Sequence, residues 1–205
     1  ILIQADAEKR KMINTILQYP DDSAGSIMTT EFVELRPKMT AEEAILHLRR
    51  SGINKETINN CYICAKGRQL MGVVTIRDLI MASSEETMED LMEENIISVS
   101  TLEDQETVAR QFSKYGFLAM PVVDREERLV GIVTIDDVLD VMEEETTEDI
   151  EKMAAIVPAD KPYLKQTTFD LWKSRMPWLL LLMISATFTG FIITSFEDAL
   201  SKYVV

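Results

Sequence analysis

The chain is poor in the residues that carry most enzymatic and metal chemistry: its 205 residues include two cysteines, one histidine, two tryptophans, seven glycines and six prolines. The single histidine, His47, stands on a predicted helix over 41–51 with no second His or Cys to share a metal, and it reads as a surface residue. No Ser/His/Asp or Cys/His constellation and no phosphate-binding glycine loop can be assembled, so the sequence does not read as an enzyme. Cys61 and Cys64 have redox or zinc spacing, but no second pair exists and apolar residues separate them, which suits a strand of a cytosolic domain. Bases are scarce as well. Against 35 acids there are 21 Lys and Arg, a net charge of -14 that disfavours nucleic acid and favours cations as partners. The twelve methionines fall mostly at apolar helical positions and read as packing residues.

What is present is a repeat. Gly72-Val-Val-Thr-Ile-Arg-Asp-Leu-Ile80 recurs as Gly131-Ile-Val-Thr-Ile-Asp-Asp-Val-Leu139, and the same register pairs Tyr62-Ile63-Cys64 with Pro121-Val122-Val123. An earlier register pairs Met28 with Met92, Phe32-Val33 with Ile96-Ile97, Leu48 with Phe112 and Gly52 with Gly116. Extra residues of the first copy, within Ile53 to Cys61, separate the two registers. Each copy then reads strand, helix, strand, strand, helix. A unit of that size buries little surface alone, so the two copies are expected to pack together.

Two further segments follow. Asp136 to Glu151 holds nine acids in sixteen residues with no base. Val138, Val141, Met142 and Ile150 predict a helix with one apolar face, and Asp137, Asp140, Glu144, Glu148 and Glu151 line another. Like charges about 4 Å apart repel by roughly 1 kcal/mol in water and about 4 kcal/mol at an effective dielectric of 20, repulsion that a divalent cation relieves. Carboxylates without Cys or His suit Mg²⁺ or Ca²⁺; a solvated acidic face that binds nothing specific is the alternative. Trp178 to Phe196 then runs nineteen residues without a charge. As a helix it spans about 28 Å, the thickness of a bilayer core. Lys161, Lys165, Lys173 and Arg175 precede it and Lys202 follows, which places the amino-terminal side in the cytoplasm. A buried helix of a soluble core is the alternative, and its late position excludes a signal peptide. Beginning at Ile1 and ending in Tyr203-Val204-Val205, the chain reads as part of something longer.

Thr75-Ile-Arg-Asp78 and Thr134-Ile-Asp-Asp137, each after a Gly-apolar-apolar strand, resemble the signature of paired cystathionine-beta-synthase (CBS) domains. The order Tyr19-Pro-Asp-Asp-Ser-Ala-Gly25, tandem repeat, Glu143-Glu-Glu-Thr-Thr-Glu-Asp149 and Arg175-Met-Pro-Trp178 resembles the MgtE-type magnesium channel family over essentially the whole chain. The fold class this implies is α/β (α+β). The end of an amino-terminal helical domain would occupy residues 1–24, CBS domain 1 residues 25–90 and CBS domain 2 residues 91–145. An acidic connecting "plug" helix would occupy 146–176, a first transmembrane helix 177–197, and the start of the next segment 198–205.

The resemblance also implies function. It points to a multi-pass cell-membrane protein, with residues 1–176 cytoplasmic, whose further amino-terminal domain and pore helices lie outside this chain. It implies a homodimer formed through the CBS domains. In that family, Mg²⁺ on acids of the CBS pair and plug helix favours the closed pore. The matching acids are Asp137, Asp140, Glu145, Glu148 and Asp149, with Glu106 in the second CBS unit; Gly116 stands where some relatives carry an acid. The CBS cleft implies ATP or AMP, with Thr75, Arg77 and Asp78 near ribose and phosphate and Phe117 against the base. Asp136 replaces Arg77 in the second copy and repels phosphate, so at most one nucleotide per chain is expected. Thr75 and Asp78 read equally well as a helix cap. The rival functional reading is an adenine-nucleotide-sensing CBS module that regulates another membrane transporter.

Overall fold

The computed structural model describes residues 16–154, 156 and 167–201. Most of the amino-terminal helical remnant expected over 1–24, and much of the plug segment expected over 146–176, lie outside the described residues. The chain divides into two units, Ile1–Met142 and Glu143–Val205.

The first unit runs α1 (Ala24–Ile27), β1 (Val33–Leu35), α2 (Ala41–Ser51), a 3-10 turn (Gly52–Asn54), β2 (Asn60–Cys64), β3 (Leu70–Thr75) and α3 (Ile76–Met81). It continues through α4 (Met88–Leu91), β4 (Val99–Ser100), α5 (Gln105–Tyr115), β5 (Ala119–Val123), β6 (Leu129–Thr134) and the start of α6 (Ile135–Met153). Each copy makes a three-stranded sheet, order β1-β2-β3 or β4-β5-β6, with a parallel pair followed by an antiparallel hairpin. Leu35 lies opposite Ile63, and Val99 opposite Val122, which are equivalent places in the two registers read from sequence. The 3-10 turn and the loop after it take up the extra residues of the first copy.

Helix starts are set by short polar side chains. The Thr40 hydroxyl accepts from the Glu43 amide at 3.3 Å while the Glu43 carboxylate accepts from the Thr40 amide at 3.1 Å, a reciprocal cap on α2. Asp104 caps α5 through the Thr107 amide at 3.1 Å. That helix ends at Gly116, φ +69°, the left-handed conformation that glycine adopts without a Cβ clash.

The opening segment of each copy packs on the other copy. Thr29 bridges Ile132 while its counterpart Glu93 bridges Val73, and Ser23 bridges Asp104 while Thr40 bridges Thr87. A Cβ on Gly131 would come within 2.6 Å of Met28 Sδ, and one on Gly72 within 2.6 Å of Met92 Sδ, so both glycines make room for the partner's methionine. Ala24 and Met28 accordingly belong to the core of Val99, Val108, Phe112, Val122 and Val138, and Met88 to that of Val33, Leu35, Ile63 and Leu79. A third apolar cluster, Phe32, Tyr62, Cys64, Ala119, Leu129 and Ile132, joins the two sheets.

Helix α6 begins as the last helix of the second copy, where Val138 and Val141 are buried. The apolar face expected to include Met142 and Ile150 stops short: they are 41% and 61% exposed, because burial against the second core ends at Val141.

In the second unit α6 ends at Met153, where the Ala154 and Ile156 amides donate to the Ile150 and Glu151 carbonyls. Helix α7 (Thr168–Ser201) is capped by Thr167 and Asp170 and runs unbroken through Pro177, across the expected 176/177 boundary. Its stretch Thr168–Glu197 has a mean hydropathy of 2.0 over its most apolar part and no buried residue there. Thr187, Thr189, Thr194 and Ser195 each turn the hydroxyl back onto a carbonyl four residues earlier, at 2.6–2.9 Å. Hydroxyls satisfied in this way cost little in an apolar solvent.

Candidate functional site

Two groups of polar side chains stand out. The first lies along α6. Asp137 accepts from the Thr134 hydroxyl at 2.6 Å, so it caps the helix as well as charging it. Asp140 and Asp149 are exposed, Glu145 and Glu148 half-buried. Lys152 Nζ lies 2.6 Å from Glu148 Oε1, and this contact raises the lysine above its ordinary pKa, with Asp149 and Glu145 adding to the effect. Helical spacing puts Asp137, Asp140 and Glu148 on one stripe, while Glu145 and Asp149 continue the row of Val141. Glu106 stands apart on the first turn of α5, paired with Arg110 at 3.2 Å. Among the described residues no three His, Cys, Asp or Glu converge to enclose an ion. The donors are nevertheless all carboxylate oxygens, the chemistry that Mg²⁺ takes, and Mg²⁺ needs only one or two of them because it keeps several waters.

The second group surrounds a cleft of about 330 Å³ between the two copies in the first unit. Asn60 and Tyr62 of β2, Val73 of β3, Phe117, Met120 and Pro121 around β5, and the loop Glu93 to Ile97 line it. Phe117 stacks on Tyr115, with ring centroids 5.4 Å apart, which fixes one flat apolar wall. Thr75 is adjacent to this cleft by register, since it pairs with Asn60 across the hairpin. Thr75, Arg77 and Asp78 do not line it, however. The Asp78 carboxylate accepts from the Thr75 hydroxyl at 2.6 Å and the Thr75 hydroxyl accepts from the Asp78 amide at 3.2 Å, which is the cap reading of this pair. Arg77 is exposed on the same helical turn.

Asn60, Tyr62, Glu93 and Asn95 were not singled out from sequence. The available signal was strand alternation, which puts Asn60, Tyr62 and Cys64 on one face of β2, but nothing in one sequence says that this face meets the other copy. Burial raises the Tyr62 phenol well above its ordinary value, partly offset by the Asn60 side chain. Cys61 and Cys64 are buried and free, and burial pushes both thiols up to about 12, so neither is a thiolate nucleophile near neutrality.

The CBS domain family matches residues 24–85 and 88–144. The magnesium transporter MgtE of Thermus thermophilus is 41% identical over 195 residues, 95% of this chain and 43% of that protein. MgtE of Bacillus subtilis is 40% identical over 208 residues, 99% of this chain and 45% of that protein. The chain thus spans less than half the length of these curated relatives. A crystal structure of the cytosolic domain of the Mg²⁺ channel MgtE in complex with ATP superposes with a TM-score of 0.65 at 43% identity, covering 66% of this chain and 55% of that one. The chain therefore belongs to the CBS-domain family, with a CBS pair of the MgtE type.

Proposed function

We propose that this chain is the cytosolic Mg²⁺-sensing part of a magnesium channel or transporter together with its first membrane helix, and that it is not an enzyme. The observation that carries this reading is α6, which starts as the closing helix of the second CBS copy and continues without a break as the acid-rich helix. Asp137, Asp140, Glu145, Glu148, Asp149 and Glu106 are the residues that would hold Mg²⁺. Since they do not enclose an ion by themselves, acids of separate surfaces must be drawn together for binding, and that movement favours the closed pore. Bound Mg²⁺ supplies charge neutralisation there. Four ions at ten times their dissociation constants contribute about 5.5 kcal/mol, enough to move a two-state equilibrium from about 1:99 to 99:1. Weak sites in that number respond steeply where one tight site would be saturated.

Helix α7, exposed and apolar over a bilayer's length, supports the membrane assignment with the preceding residues cytoplasmic. Homodimerisation is supported by Leu46 on α2 and Ile80 and Met81 on α3, apolar side chains left exposed beside one another's helices. The Phe117 cleft, and the ATP bound by the relative's cytosolic domain, support a second ligand: one ATP or AMP per chain. That cleft is also what favours the alternative, a CBS module sensing adenine nucleotide for another transporter.

Limited proteolysis of the chain in detergent micelles separates these readings. Protection is expected to rise with Mg²⁺ and to vanish when Asp137, Asp140, Glu145, Glu148 and Asp149 are changed together to Asn or Gln. Equal cleavage with Mg²⁺ and with chelator, combined with protection by ATP alone, establishes the alternative.

A further inference from the structure

Tyr62 presents a buried hydroxyl that the fold itself does not use. The side chain is 1% exposed and belongs to the apolar cluster that joins the two sheets, meeting the Phe32 ring edge to face with centroids 6.2 Å apart. Its neighbours there are Cys64, Ala119, Leu129 and Ile132, and its hydroxyl finds no hydrogen-bond partner. An orphaned buried hydroxyl costs about 1–3 kcal/mol, and a phenylalanine would fill the same place without that cost. The same residue lines the Phe117 cleft, beside Asn60 and across from the Asn95 loop. A volume of about 330 Å³ lies at the small end for organic ligands and suits one flat heterocycle with a sugar.

We propose that Tyr62 is a positioning donor for nucleotide, its hydroxyl hydrogen-bonding a ring nitrogen of a purine base seated against Phe117. This inference rests on the nucleotide reading given above and adds how the base is held. A phenol kept neutral by burial has its proton to give, and on a flat neutral ligand the matching acceptors are the ring nitrogens. The face of Phe117 holds any base, whereas a directed donor sets the rotation of the ring. The second copy lacks the device. Pro121 stands at the place of Tyr62 and Ile58 at the place of Phe117, so the pseudo-equivalent position offers neither hydroxyl nor ring.

The test is a chemical double-mutant cycle on the full chain in detergent. ATP and its 1-deaza, 3-deaza and 7-deaza analogues, each with one ring nitrogen replaced by C–H, are titrated against the original protein and Tyr62→Phe. The expected result is about a 10-fold weaker dissociation constant for ATP in Tyr62→Phe, a melting temperature without ligand that is equal or higher, and one deaza analogue that loses affinity for the original protein but loses no more for the variant. Unchanged ATP affinity in Tyr62→Phe, or deaza losses identical in the two proteins, overturns the role of Tyr62 while leaving the nucleotide reading in place. The deaza series on the unaltered protein stands even if the variant folds poorly: equal affinity for all three analogues and ATP overturns the proposal by itself. An unaltered protein that binds no ATP removes the nucleotide reading and this inference with it.

Discussion

At the scale of the residue, burial decides chemistry more than identity does. Cys61 and Cys64 share a spacing that can bind zinc or cycle a disulfide, yet they sit on a strand whose alternate faces enter two different apolar clusters. Their thiols are held near 12 instead of 9.0, because the charged form is poorly solvated inside. The sign follows. The folded state keeps its protons while the unfolded chain begins to lose them, so this contribution to stability is complete below about pH 9 and is lost as pH rises towards about 12. We expect the melting temperature to fall over that alkaline range, and less steeply in a Cys61→Ala, Cys64→Ala variant measured against its own neutral value. Thiol reagent at neutral pH should react only after denaturant is added, since both residues are fully buried.

At the scale of the element, α6 carries opposing demands. Its first turns are pinned by Val138 and Val141, whereas Asp140, Glu144 and Glu148 stack at four-residue spacing with like charge. Glu144→Lys turns two repulsive spacings into attractive ones. It should raise helix stability by about 0.5–1 kcal/mol at low salt, an increment that shrinks as salt is added, read from circular dichroism melts with magnesium chelated. How far such elements could be read in advance depends on the range of the interactions that make them. Strand, helix, strand, strand, helix was visible because alternation, caps and the repeated Gly-apolar-apolar-Thr run are local. Thr75 and Asp78 were visible as a cap for the same reason. What alignment of two copies cannot show is which copy a segment touches, and so the crossing of Met28 to Gly131 and of Met92 to Gly72 had no sequence signal. The Phe117 cleft inherits that blindness: Phe117 was found by resemblance, while Tyr62 and Asn95 reach it only through the long-range meeting of the two sheets. The end of the apolar face at Val141 was hidden likewise, since periodicity reports a face and not what covers it.

At the scale of the whole molecule, two solvents are implied in one chain. The first unit has the buried apolar clusters and charged surface of a protein folded in water, and α7 has leucine, isoleucine and phenylalanine exposed on every side. A charge at the middle of that helix should be costly. Ile184→Arg is expected to disfavour insertion by about 2.5–3.5 kcal/mol, so that a fraction of the chain becomes extractable from membranes by carbonate while the original stays in the pellet. Retention of both equally in the pellet would speak for burial of α7 in protein instead of lipid. The exchange of opening segments acts on the same scale. Because Ala24 and Met28 complete the second core and Met88 completes the first, a cut anywhere in the loop Ser83 to Glu86 yields two fragments that each lack a piece of themselves. Mixed, they should reassemble; alone, neither should fold. Duplication followed by such interlocking works as a ratchet: from then on neither twin can be deleted, shortened or traded for a foreign one, and the duo is inherited as a single heritable part.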